Sequence, residues 1–311
     1  MGQLAWVTGH FIEPVRLKVL QTSDPLLERL RSEGDQVRVA VPDQDSYLNV
    51  VLQNQFYAFH ISCLDISAAS RIPDNLSTFF RSLEGNHARL WLLAGVKNVV
   101  VPQESMPRLE HDAAIAANID HADGYTVIPT RDNLPSHAVV QMRDYLAKAT
   151  LVPGAEIIPD EAALLKRLAD PAWNPRRTVL LDSAAPVTEG GSAGSGAGLA
   201  EQAAVELYTS QEIKVRVQSQ KGGYVLINDA YDPDWEAEVN GVPAPLLRAD
   251  YLLRAVPVRG GVSTVTLRYV AHYRVLGWPL RAEAMNDFCD VTMLAAWGVA
   301  GVVVWRRRRV D

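Results

Sequence analysis

At 311 residues, with 48% hydrophobic and 21% charged side chains, the chain can bury a substantial core and is expected to form two domains, which excludes a disordered protein. A formal charge of −6, with no basic run before the last residues, excludes nucleic acid as the main partner, because phosphate binding needs a concentrated positive face. Cys63 and Cys289 are the only cysteines, too few for a disulfide scaffold, and both read as packed thiols.

Met1 to Pro14 lacks a basic start and a small-residue cleavage site, so no secretory signal is read there. Asp24-Pro25 supplies an N-cap and a proline at the first helical position, and Leu26, Leu27 and Leu30 share one face before Gly34 stops the helix. Val37 to Val41 reads as a strand, Leu48 to Phe56 as a helix, and Asn75 to Leu83 as a helix with Leu76, Phe79, Phe80 and Leu83 along one side. Asn86 caps a helix whose Leu90, Leu93 and Ala94 face inward and which Gly95 ends, and Val96 to Val101 follows as a buried strand. The same order recurs from Asp160, which caps a helix, to the strand Val179 to Leu181. The alternation predicts an α/β layer from Val37 to Asp182, with Val139 and Val140 adding a central strand.

Residues 184–203 change character, with five glycines among Ser and Ala, and read as a linker or long loop. From Leu207 the pattern turns to strands. Asn240-Gly241 between two alternating runs predicts a type I′ hairpin turn, since both central residues must take positive φ. Pro243 and Pro245 make the returning strand irregular until Leu246. Gly260-Gly261 reads as the next turn, before the alternating strand Val262 to Tyr269. About six closely spaced strands predict a β-sandwich. Val291 to Trp305 is uncharged and apolar and runs into Arg306, Arg307, Arg308 and Arg309, which reads as a membrane-spanning helix with its arginines in the cytoplasm. The expected fold is therefore α+β: a mixed α/β domain over 1–183, the linker over 184–203, an antiparallel β-sandwich over 204–275, and a juxtamembrane segment, C-terminal transmembrane helix and basic tail over 276–311.

Chemistry is sparse. The glycines carry no nucleotide fingerprint, and Ser62-Cys63 and Ser136-His137 lie in no nucleophile elbow. His111-Asp112 and His121 with Asp123 lack a second pair at helical spacing and read as surface loops, not metal ligands. One cluster stands out, Asp229, Tyr231, Asp232, Asp234 and Trp235. Carboxylates accept hydrogen bonds from sugar hydroxyls and an aromatic face covers a pyranose ring. The competing structural reading is a turn at Asp232-Pro233-Asp234 with Trp235 capping the core, and it is the one favoured here.

The run Tyr224-Val225-Leu226-Ile227-Asn228-Asp229, then Tyr231-Asp232-Pro233-Asp234-Trp235-Glu236-Ala237, the hairpin at Val239-Asn240-Gly241 and the stretch from Arg248 to Val258 resemble the C-terminal part of the YfhO family of bacterial multi-pass membrane proteins. Those proteins are similar to C-type glycosyltransferases that use lipid-linked sugars. The chain departs from the family's Tyr-Tyr-Pro-Gly-Trp pattern, with Asp232 for the second tyrosine and Asp234 for the glycine. Leu93 to Val100 and Pro175 to Leu180 resemble two further segments. The resemblance implies an extracytoplasmic module whose full protein has many membrane helices and the catalytic carboxylate upstream, so no catalytic residue, metal or cofactor is carried over. Expected partners are the membrane through the C-terminal helix, a lipid-linked sugar or envelope glycan, and an upstream multi-span membrane protein. Candidate ligand-binding residues are Asp229, Tyr231, Asp232, Asp234, Trp235, Arg248, Tyr251 and Arg254. The competing functions are a purely structural domain docking on a membrane partner and a free-standing glycan hydrolase using Asp229 and Asp234.

Overall fold

A computed structural model describes residues 25–34, 36–42, 55–64, 72–125, 136–183, 201–270, 272–275 and 278–281. They fall into two compact units, one drawn from Met1–Ala184, Gly223–Ala230 and Arg248–Ala255, the other from Ala185–Gly222, Tyr231–Leu247 and Val256–Asp311.

The first unit opens with helix α1 (Pro25–Arg31), whose Leu26, Leu27 and Leu30 are buried, and strand β1 (Arg38–Ala40). Helix α2 (Asp74–Ser82) buries Phe79. Helix α3 (His87–Leu93) starts where the Asn86 side chain accepts from the Arg89 N–H and buries Trp91 and Leu93. Gly95 (φ 69°) reverses the chain into β2 (Val96–Pro102), parallel to β1. After α4 (Met106–His111) and α5 (Ala113–Asn118), strands β3 (Ile119–Tyr125) and β4 (His137–Met142) complete a sheet of order β1-β2-β4-β3. β4 is an interior strand, as Val139 and Val140 suggested.

Strand alternation divides the core of this sheet in two. Val99, Val101 and Val140 pack with Trp91, Leu109 and Ile115, while Val100 and Val139 pack with Leu26, Leu27, Leu30 and Phe56. Apolar residues on both faces mean a sheet covered on both sides, which is why β2 reads as an unbroken apolar run.

The rest of this unit contains β5 (Ala149–Val152) and the parallel pair β6 (Gly154–Ile157) and β7 (Thr178–Leu181). Helix α6 (Glu161–Ala169), capped by the Asp160 side chain accepting from the Ala163 N–H, joins β6 to β7. The 223–227 end of β9 (Glu212–Ile227) lies antiparallel to β5, with Tyr224 opposite Val152 and Ile227 opposite Ala149. Strand β12 (Leu247–Ala249) meets β7 at Ala249 opposite Leu181.

The second unit is antiparallel. Strand β8 (Gln202–Tyr208) pairs with the first part of β9, and β9 pairs with β13 (Leu253–Tyr269). The Tyr269 N–H donates to the Gln211 carbonyl at 2.9 Å. β13 also pairs with β10 (Trp235–Val239), and β10 with β11 (Val242–Ala244). Asn240 (φ 53°) and Gly241 (φ 78°) form the expected turn. A final hairpin joins β14 (His272–Val275) and β15 (Trp278–Arg281).

Three expectations are corrected. Gly260-Gly261 makes no turn, because β13 runs through both. A Cβ on Gly260 would lie 2.5 Å from the Gln220 carbonyl oxygen, so this glycine permits close approach of two strands. The strands of 202–269 belong to one hydrogen-bonded sheet, where two facing sheets of a sandwich were expected. No helix among the described residues is long and apolar enough to cross a membrane, so the C-terminal transmembrane helix of the expected fold class is not supported. Residues 291–305, on which that expectation rested, lie outside the described residues, as do Cys289, the linker at 184–200 and most of the helix expected over 48–56.

Candidate functional site

The eight candidate residues divide between the two units, Asp229, Arg248, Tyr251 and Arg254 belonging to the first and Tyr231, Asp232, Asp234 and Trp235 to the second. The chain passes from one unit to the other after Ala230, between Asp229 and the aromatic turn that follows it. Asp229 is bound by two cations, with its Oδ1 at 3.1 Å from Lys148 Nζ and 3.2 Å from Arg38 Nη2. The Arg38 guanidinium also donates to the carbonyls of Ala94 and Asn228, and Asn228 Nδ2 donates to the Leu93 carbonyl at 3.0 Å. Gly95 has no room for a side chain, since a Cβ there would lie 2.7 Å from the Leu146 carbonyl oxygen and 2.8 Å from Asn228 Nδ2. This polar network fixes the end of β9 against the α3–β2 corner. It satisfies its own charges, and nearly no space is left beside it.

Tyr231 is half-buried in the other unit. The Asp232 carboxylate accepts from the Asp234 N–H at 2.8 Å, and its carbonyl from the Trp235 N–H at 3.2 Å, which is the side-chain turn that the Asp-Pro-Asp order favours. Trp235 is 9% exposed and meets Tyr269, its cross-strand partner, edge-on at 5.6 Å between ring centroids. Its ring face therefore belongs to packing and offers no platform for a sugar. Arg254 is buried and donates from Nε to the Ala230 carbonyl at 2.7 Å. His111 Nδ1 lies against the Pro107 carbonyl, Asp112 caps α5, and His121 pairs with Asp120 and Asp123 on β3; surface loops were expected, but His111 ends α4, His121 and Asp123 lie on a strand, and only Asp112 stands between helices.

Arg248 and Tyr251 remain, and they share a cavity. It has a volume of about 140 Å³ and is lined by Pro159, Glu161, Leu164, Asp182, Arg248 and Tyr251. Pro159, Glu161 and Leu164 come from the start of α6, Asp182 follows β7, and Arg248 lies on β12. Tyr251 stands in the turn to β13, where Asp250 (φ 48°) and Tyr251 (φ 68°) are both left-handed without being glycine. Such a pair costs on the order of 1–3 kcal/mol per residue and persists only where surrounding contacts enforce it.

Those contacts are visible. Asp250 Oδ1 accepts from the Leu180 N–H at 2.8 Å, and the Asp250 N–H donates to the Leu180 carbonyl at 2.8 Å. Arg248 Nε donates to the Tyr251 carbonyl, and its guanidinium lies 4.5 Å over the Tyr251 ring. The Tyr251 hydroxyl is 3.5 Å from Glu161 Oε1. Burial pushes the Asp250 carboxyl up to about 7 against the opposing pull of its Leu180 hydrogen bond and of Arg89; its Oδ2 is buried with no partner among the described residues.

Beyond this geometry, sequence comparison speaks to the segment carrying Arg248 and Tyr251. Residues 197–280 match the family described as bacterial membrane protein YfhO. The resemblance read from residues 224–258 therefore holds over that segment, and likeness to a membrane-protein family there is in keeping with membrane association. No curated protein and no solved structure matches the chain. The YfhO match contains Arg248 and Tyr251, whereas Glu161, Leu164 and Asp182 precede it. Pairing of β7 with β12 brings the two sets together, and no spacing along the chain announces that. Asp250-Tyr251 between two strands was the available turn signal, although Tyr in a left-handed position is uncommon.

Proposed function

We propose that this chain is a non-catalytic, extracytoplasmic module of a YfhO-like, glycosyltransferase-like membrane protein, and that it assists glycan transfer to cell-envelope acceptors by binding or positioning. The YfhO match over 197–280 carries this reading. The cavity at Arg248 and Tyr251 supports a binding role, because it combines hydrogen-bond donors with the acceptors Glu161 and Asp182 in a space suited to a small polar ligand. Fold alone would not license the step to function.

The experiment is a pair of substitutions, Arg248→Ala and Glu161→Ala, introduced together into the gene in its host. Sugar incorporation into envelope glycans is expected to fall while protein level and membrane fractionation stay unchanged. Normal glycan from a stable, correctly fractionating variant would sink the positioning role. It would favour the second reading, a structural module docking on a membrane partner, which the packing of Trp235 against Tyr269 supports.

A further inference from the structure

The lining of the Arg248 cavity specifies more than a polar ligand. The Arg248 guanidinium is held on both sides, by its Nε bond to the Tyr251 carbonyl and by stacking on the Tyr251 ring. Its terminal nitrogens have no partner among the described residues and remain available in a fixed fork. Opposite chemistry comes from Glu161 and Asp182, both exposed to solvent at the cavity. Glu161 meets the Tyr251 hydroxyl only at 3.5 Å, and Asp182 accepts from its neighbour Ser183. Two carboxylates thus face one guanidinium, which disfavours a phosphate or any other anion and favours a cation. Tyr251 is 6% exposed and its ring is already covered by Arg248, so the described lining residues offer no free aromatic face to stack on a neutral pyranose.

We propose that this cavity binds a small primary amine with a neighbouring oxygen. The ammonium is held by Glu161 and Asp182, and the adjacent hydroxyl or carboxylate oxygen accepts from the Arg248 fork. An amino sugar and an amino acid share this chemistry. The proposal rests on the binding role of the module and names its ligand class. The order of events is simple: the ligand's charge is matched at the rim by the carboxylates, and its orientation is fixed by the guanidinium.

Calorimetric titration of the full chain with D-glucosamine, glycine and D-glucose tests it. Glucosamine or glycine is expected to bind at least about tenfold more tightly than glucose, the effect of one retained charge pair; whichever of the two binds better names the source of the amine. Glu161→Gln, at an exposed position in the first turn of α6, is expected to remain folded and to remove that preference. Arg248→Gln is expected to weaken the amine probes too, and a melting curve showing the variant fully folded at the titration temperature separates lost binding from lost folding. Glucose binding as tightly as the amines, or an unaltered preference in a folded Glu161→Gln variant, overturns the amine assignment. Failure of all three probes to bind below about 10 mM overturns it as well. The glycan yield of cells carrying the paired alanine substitutions tests the module's role separately.

Discussion

Asp250 and Leu180 exchange two hydrogen bonds, the Leu180 N–H donating to Asp250 Oδ1 and the Asp250 N–H donating to the Leu180 carbonyl, each at 2.8 Å. A left-handed residue has here replaced one rung of a strand ladder with its own side chain. Asn240 does the same with Thr264, whose N–H donates to Asn240 Oδ1 at 2.8 Å while the Asn240 N–H donates to the Thr264 carbonyl at 2.9 Å. Asn240 is exposed and neutral, whereas Asp250 is buried and titratable.

That difference gives a pH dependence with a definite sign. The folded-state value of about 7 lies above the ordinary value of 3.8, so the folded state holds its proton more tightly than the unfolded chain. The stabilisation from Asp250 is complete below about pH 4 and is lost as pH rises through about 7, up to on the order of 4 kcal/mol in all. Asp250→Asn preserves the acceptor that Asn240 uses and removes the titration. Thermal melts from pH 5 to 8.5 should show the wild type losing stability relative to Asp250→Asn as pH rises. Parallel pH profiles for the two proteins would contradict this origin.

Trp235 gives a second test, because its burial against Tyr269 predicts a loss of stability, not of ligand. Trp235→Ala should cost about 3–5 kcal/mol by denaturant melts, and Trp235→Phe clearly less. Binding at the Arg248 cavity is expected to survive in whatever fraction remains folded. A Trp235→Ala protein with wild-type stability would show that the ring is not part of the core.

Local signals in the sequence were legible because each depends on atoms within a few residues. The caps at Asn86 and Asp160 and the Asn240-Gly241 turn are of this kind. Gly260-Gly261 was not, since a glycine pair in a strand and a glycine pair in a turn have the same sequence. The deciding atom is the Gln220 carbonyl, forty residues earlier. The stretch from Asp229 to Trp235 shows a related limit: contiguity groups these residues, but the chain passes from one unit to the other within it. Glu161 and Asp182 reach Arg248 only through strand pairing, so single-sequence spacing could not find them.

Gly222 turns that physical point into a measurement. Its φ is 85°, and a Cβ would lie 2.5 Å from the Val258 carbonyl oxygen, so backbone strain and a collision with main chain act together. Gly222→Ala should destabilise by more than about 1 kcal/mol. Gly241, equally left-handed at 78° but with nothing within 4 Å, should lose less on the same substitution. Equal losses from the two variants would mean that conformation alone, and not close approach, holds glycine at 222.

Asp229 offers the sharpest contrast between the sequence reading and the folded chain. Its Oδ1 is shared by Lys148, whose side chain is only 5% exposed, and by Arg38 at 17%. Arg38 keeps the carbonyls of Ala94 and Asn228 if the carboxylate is removed, whereas the Lys148 ammonium, on a side chain only 5% exposed, loses its carboxylate in a buried setting. Asp229→Ala should therefore cost about 3–5 kcal/mol. Lys148→Met removes the cation and retains most of the packing, so it should cost less, and in the double variant most of the Asp229→Ala penalty should disappear. A denaturant-melt double-mutant cycle reads this directly. Additive losses would mean that the Asp229 carboxylate does not depend on the Lys148 pair, whereas strong coupling identifies that pair as what binds the end of β9 to its unit.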